Sequence, residues 1–169
     1  MHIAHNVRHV SQLHRPYSDL ACGVASFAML LQHAGQRQQY RKLCDELGVT
    51  KTPHEKGFAW GSNHLGPGVY FQDIVRWLQK KGYRFAGSNL RTQQNFRCLR
   101  QLIEVTPLMV GVTWYDCGHW IVLDGIKNGV FTIRDPLRAA ASPRHRGIGN
   151  DNLFKVWDGT FIALFSSQG

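Results

Sequence analysis

The chain has 169 residues, enough for one domain with a true core and hardly enough for two. Hydrophobic residues make up 43% and charged residues 18%, which describes a globular chain and excludes a disordered one. The net charge of +9 favours acidic partners, but the basic residues are scattered and lack a nucleic-acid-binding pattern. The densest basic group is Arg134, Arg138, Arg144 and Arg146, read as a solvated face, and nucleic acid is not an expected partner.

Residues 1–17 are polar and rich in histidine (His2, His5, His9, His14) and read as an extended arm or a short first strand. Their spacing fits no metal motif, and no metal or other cofactor is expected. No apolar h-region marks the N-terminus, and no stretch approaches the ~20 apolar residues of a membrane span. Four cysteines (Cys22, Cys44, Cys98, Cys117) in a chain without a secretory signal are expected as free thiols.

Residues 22–34 predict a helix that is apolar on nearly all sides and therefore central and buried, with Gly35 at its C′ position. Arg37 to Leu47 predicts a second, amphipathic helix closed by Gly48. Pro53, Gly57, Gly61, Gly66 and Pro67 mark a loop. A third helix follows to Lys81, with Val69, Ile74, Trp77 and Leu78 on its apolar face. Tyr83 to Ala86 reads as a short strand and Gln93 to Glu104 as a fourth helix. After Pro107 the period becomes strand-like, with strands at Leu108–Thr113, Trp120–Ile126 and Val130–Arg134. Asn128-Gly129 supplies a hairpin turn between the last two. Residues 137–150 read as a basic loop, Phe154–Trp157 as a turn and Thr160–Phe165 as a closing strand. Helices first and an antiparallel sheet afterwards predict an α+β domain spanning 1–169.

The chemistry concentrates on three residues. Cys22 follows a turn-prone lead and opens the buried helix. A helix N-terminus carries roughly half a positive charge and favours an anion, so a thiolate can be made and used there. Gly118-His119-Trp120 starts one strand, and Asp135 ends the next across the Asn-Gly hairpin, so both emerge near one end of the sheet. A carboxylate there can accept the imidazole Nδ1–H and stabilise its charged form. Cysteine, histidine and carboxylate are the nucleophile, base and orienting group of thiol catalysis. Asp124 is a competing carboxylate, but its mid-strand place makes it a poorer partner for His119. Trp60 and Tyr70, with Trp114 and Tyr115, are candidates for a substrate groove. Trp114, Tyr115 and Trp120, which flank His119, are the expected cleft residues.

Several segments together resemble the papain-like cysteine peptidases of the C39 type, the bacteriocin-processing peptidases and related bacterial effector and toxin domains. They are Asp19-Leu20-Ala21-Cys22-Gly23-Val24-Ala25, Pro107 to Val112, Gly118 to Gly125, Val130 to Pro136 and Val156 to Phe161. The resemblance implies a papain-like fold, a buried nucleophile helix packed on a C-terminal sheet, and a protein substrate. It also implies a glutamine six residues before the cysteine, to help bind the oxyanion. That position is Pro16, and the candidate substitutes are Gln12, Ser18 and the backbone N–H of Cys22. With only this domain in the chain, the resemblance implies a cysteine endopeptidase that is the toxic part of a secreted effector. It would act in a target-cell cytoplasm and be held off by an immunity protein. A peptidoglycan amidase, a glutamine deamidase or transglutaminase with the same triad, and an inactive binding module are the alternatives.

Overall fold

The structure is a computed structural model and describes residues 2–58, 66–114, 117–138 and 146–166. The elements run in the order β1 (His2–Ala4), α1 (Cys22–His33), α2 (Tyr40–Leu47), α3 (Phe71–Lys81), β2 (Phe85–Asn89) and α4 (Gln93–Leu102). Then come β3 (Leu108–Trp114), β4 (Cys117–Lys127), β5 (Val130–Arg134), β6 (Arg146–Gly149), α5 (Asn150–Val156) and β7 (Trp157–Leu164). Among the described residues, the strands join one seven-stranded antiparallel sheet in the order β2-β7-β3-β4-β5-β6, with β1 off this path. β1 pairs with Gly125–Lys127, along the edge of β4 that β3 leaves open beyond Leu108.

The α+β expectation stands, but helices cover both faces of the sheet. α1, α2 and α3 pack on one face, through Phe27, Leu30, Leu43, Ile74 and Leu78 against Met109, Val122 and Ile162. On the other face Phe96, Leu99 and Leu153 from α4 and α5 meet Val110, Ile121, Phe131 and Trp157. This two-sided cover explains why Leu108 to Val112 is a continuous apolar run: all five residues are buried. α1 is likewise buried from Gly23 to Leu31, as its lack of a polar face requires.

Local chemistry sets the ends of these elements. Gly48 and Gly82 take left-handed conformations that close α2 and α3. Asn128 and Gly129 both have positive φ, 51° and 78°, as the hairpin turn demands. Asp73 accepts the Tyr70 N–H at the start of α3 and pairs with the buried Lys56 Nζ at 2.8 Å. Lys56 Nζ also donates to the Gly68 carbonyl, which ties the loop before α3 to the rest of the fold.

Two elements were not anticipated. The stretch read as loop up to residue 150 contains β6, which pairs with β5 along the sheet edge. Of the turn expected at Phe154–Trp157, residues 154–156 lie in α5 and Trp157 opens β7. Leu153 of α5 is fully buried, and Phe154 packs edge-on against Phe96 at 5.1 Å. β4 also starts earlier than expected, at Cys117, so His119 is its third residue.

Candidate active site

α1 begins at Cys22, and its position against the sheet is set by its first two turns. A Cβ on Gly23 would lie 2.7 Å from the Val69 Cβ and 3.0 Å from Trp120 Cδ1, so only glycine allows this approach. Ser26 Oγ donates to the Trp120 carbonyl (3.1 Å), and Trp120 Nε1 donates to the Val69 carbonyl (2.8 Å). The helix start is thereby clamped to β4 one residue from His119. The Cys22 side chain is partly exposed, and Cys22 is one of the two residues that raise the His119 pKa.

His119 is 9% exposed, and its Nε2 lies 2.8 Å from Asp135 Oδ1. Expectation and structure agree on the pair but differ on the nitrogen. Nε2, not Nδ1, meets the carboxylate, because the ring lies between the helix start and the loop after β5. With Nε2 engaged, Nδ1 is the nitrogen left for Cys22. Asp135 Oδ1 also accepts the backbone N–H of Leu137 at 3.0 Å, which holds the carboxylate in place. Trp114 stacks at a tilt beside the imidazole, with ring centroids 5.8 Å apart.

These contacts set the electrostatics. Burial draws the His119 imidazolium down. Hydrogen bonds to Asp135 and Cys22, with the charges they present, more than offset this and raise the group from 6.5 to about 9. Burial pushes the Asp135 carboxyl up, but the bonds from His119 and the Leu137 N–H, with the charges of His119 and Arg138, hold it below its ordinary value. An ionised carboxylate only accepts, so Nε2 carries its proton and Nδ1 is the ring atom able to exchange one with sulfur.

The other expected site residues divide. Gln12 is buried at 2% exposure, and its backbone N–H donates to the Pro136 carbonyl at 2.8 Å. Its Nε2 donates to the Ser18 carbonyl, and its buried Oε1 has no hydrogen-bond partner among the described residues. Gln12 therefore bridges the loop after Asp135 and the lead into Cys22. Left-handed residues at His14 and Tyr17 fold the intervening chain back on itself. Ser18 contributes its carbonyl to Gln12, while its hydroxyl reaches Asp19 at 3.5 Å. Trp120 is a correction: it is buried in the core between α1 and β4, not on an exposed cleft wall. Trp60, Tyr115 and Arg144 lie outside the described residues, and Tyr70 accompanies Lys56 at the start of α3. Asp124 is the extra residue at a bulge in β4 and pairs with Arg134 Nε at 2.5 Å, away from His119.

Sequence reasoning passed over the seating role of Gly23 and Ser26, and placed Val69 on the apolar face of the third helix, whereas Val69 precedes α3 and packs on the start of α1. The signal was the glycine directly after the cysteine. Two N-terminal histidines act as clasps: His5 Nε2 meets the Ile103 carbonyl at 2.7 Å and His9 Nε2 meets the Arg138 carbonyl at 3.0 Å.

A central helix opening on cysteine, packed against an antiparallel sheet that presents histidine and aspartate, is the papain-like fold in its C39 form. The Peptidase_C39 like family model matches residues 4–160, and the chain belongs to this family. Among solved structures it is similar to a C39-like peptidase from Bacillus anthracis, with 20% identity, TM-score 0.74 and full coverage of both chains. The peptidase domain of Streptococcus ComA, a bifunctional ABC transporter involved in quorum sensing, has 19% identity and TM-score 0.66 over 96% of this chain and 100% of that one. A double-glycine-motif protease from an AMS/PCAT transporter, in complex with the leader peptide, has 16% identity and TM-score 0.65 over 98% and 95%. No curated protein matches the sequence. No helix among the described residues is long and apolar enough to cross a membrane.

Proposed function

We propose that this protein is a cysteine endopeptidase in which Cys22 is the nucleophile, His119 the general acid and base, and Asp135 the orienting group. The observation that carries the reading is the 2.8 Å contact between His119 Nε2 and Asp135, which leaves Nδ1 of a ring influenced by Cys22 as the nitrogen to exchange a proton with sulfur. Cys22 gives its thiol proton to His119, its sulfur attacks a peptide carbonyl carbon, and the electron pair moves onto the carbonyl oxygen. His119 gives a proton to the leaving nitrogen as the C–N bond breaks, which leaves a thioester on Cys22. Water then attacks the thioester and gives its proton to His119. The C–S bond breaks, the acid product leaves and the thiol is restored.

The oxyanion is held by the Cys22 N–H, since the first N–H groups of a helix have no partner within it. Gln12 supplies the second donor. Its Nε2 carries two N–H groups, of which the Ser18 carbonyl takes one. Trp114 shields the His119–Asp135 bond from water and forms one wall of the substrate cleft.

The substrate class supported by the comparisons is a peptide or protein, as one neighbour was solved with a leader peptide. The decisive experiment is hydrolysis of peptide libraries by wild type and Cys22→Ala. Cleavage by the wild type alone, with new peptide termini, supports endopeptidase action. A mass gain of about one dalton at glutamine without new termini would replace it with deamidation. The effector setting has a separate test: host growth slowed by wild type and not by Cys22→Ala, and restored by a co-expressed immunity protein. Equal growth removes the effector role and leaves the peptidase reading intact.

A further inference from the structure

A cavity of about 650 Å³ lies between the N-terminal segment 6–10, the end of α1 and the chain that follows it. Four arginines line it, Arg8, Arg15, Arg37 and Arg134, with His9 beside them, and none of its lining residues is acidic. Arg134 pairs with Asp124, while Arg8, Arg15 and Arg37 make no ion pair among the described residues, so at least three guanidinium charges share the concavity without a carboxylate partner. Cations gathered in one concavity repel each other, and an anion relieves that cost.

The donors are organised rather than loose. The Arg15 guanidinium lies 4.9 Å over the Tyr40 ring, a stacking contact that restrains it. The segment that carries Arg8 and His9 is anchored on its far side, where His9 holds the Arg138 carbonyl and Gln12 holds that of Pro136. Gln32 and Gln38 add neutral amide donors to the lining. Guanidinium forks match phosphate oxygens in pairs, and several forks around one cavity suit a ligand with several phosphates. The volume falls in the range of small-ligand sites, roughly 300–1,000 Å³.

We propose that this cavity is a binding site for a small polyphosphorylated anion, separate from the Cys22 centre. The test is calorimetric titration of the full chain with inorganic tripolyphosphate at about 150 mM salt, where long-range attraction is screened. One saturable site is expected. Arg8→Gln/Arg37→Gln, at two exposed positions, should weaken it roughly tenfold or more, and Arg8→Lys/Arg37→Lys should fall between the two. The control is Arg97→Gln/Arg100→Gln, which removes the same charge from another surface hollow that includes Glu104. Unchanged affinity in that control supports the site. Equal weakening by both double glutamine variants, sulfate binding as tightly as tripolyphosphate, or no saturable binding would each overturn it.

Discussion

His119 is placed to hold a proton at neutral pH, and two partners share responsibility. If the Cys22 and Asp135 contacts raise it to about 9, removing either must lower it. Imidazole titration by NMR in Cys22→Ala and in Asp135→Asn should give values below wild type in both. A value unmoved in Cys22→Ala would mean that the sulfur does not face Nδ1. Alkylation gives an independent reading of Cys22. Cys44 is buried and its thiol is pushed up to about 11, so it should react slowly. Iodoacetamide near neutral pH should modify Cys22 before Cys44 and Cys98, and Asp135→Asn should slow that step. Gln12 has its own outcome. Loss of an oxyanion donor costs about 10²–10³ in kcat, so Gln12→Ala should lower kcat by that order with little change in KM. A change confined to KM would make Gln12 a structural bridge alone. In the sequence, Cys22, His119 and Asp135 were legible as candidates because Cys22 opens the apolar helix, Asp135 directly follows a strand, and His119 lies near the start of the strand on the other side of the Asn-Gly hairpin. The nitrogen that meets Asp135 was not, since ring orientation depends on where the partners lie in space.

The elements that carry the site depend on close approach. Gly23→Ala would force α1 away from Val69 and Trp120, and overpacking of this kind costs about 1–3 kcal/mol. Denaturant unfolding should show that loss, and peptidase activity should fall further than stability because Cys22 shifts relative to His119. Trp120→Phe replaces the indole by a smaller ring and removes the Nε1 bond to Val69, so it combines a cavity with a lost hydrogen bond and a loss of about 1–3 kcal/mol is expected. Such contacts explain which elements could be read in advance. α1 and β3 are continuous apolar runs, and the Asn128-Gly129 turn has chemistry of its own. α5 has seven residues and no side-chain cap, and it forms because Leu153 and Phe154 find partners in α4 and β7. β6 has a single large apolar residue, Ile148, and becomes a strand because β5 offers an open edge. Propensity over so few residues is weaker than tertiary contact.

Across the molecule, the paired ionisations predict a stability window. The folded value of His119 lies above its unfolded one. Its contribution is complete below about 6.5 and is lost as pH rises through about 9. Asp135 lies below its ordinary 3.8, so its contribution is present above that value and lost as pH falls through the depressed one. Thermal unfolding across pH should show the His119 loss between about 6.5 and 9 in wild type, and His119→Ala should flatten it. The chain's alternation of periods, its glycines and its asparagine-glycine turn encode local conformation and which surfaces must leave water. From these the α+β class, most elements and three candidate catalytic positions could be read. Local patterns carry no information on how distant segments meet. The cover of both sheet faces, the burial of Trp120, the bridge made by Gln12 and the arginine-lined cavity arise from packing between residues far apart in the chain. They became visible only once the sheet order and the seat of α1 were known.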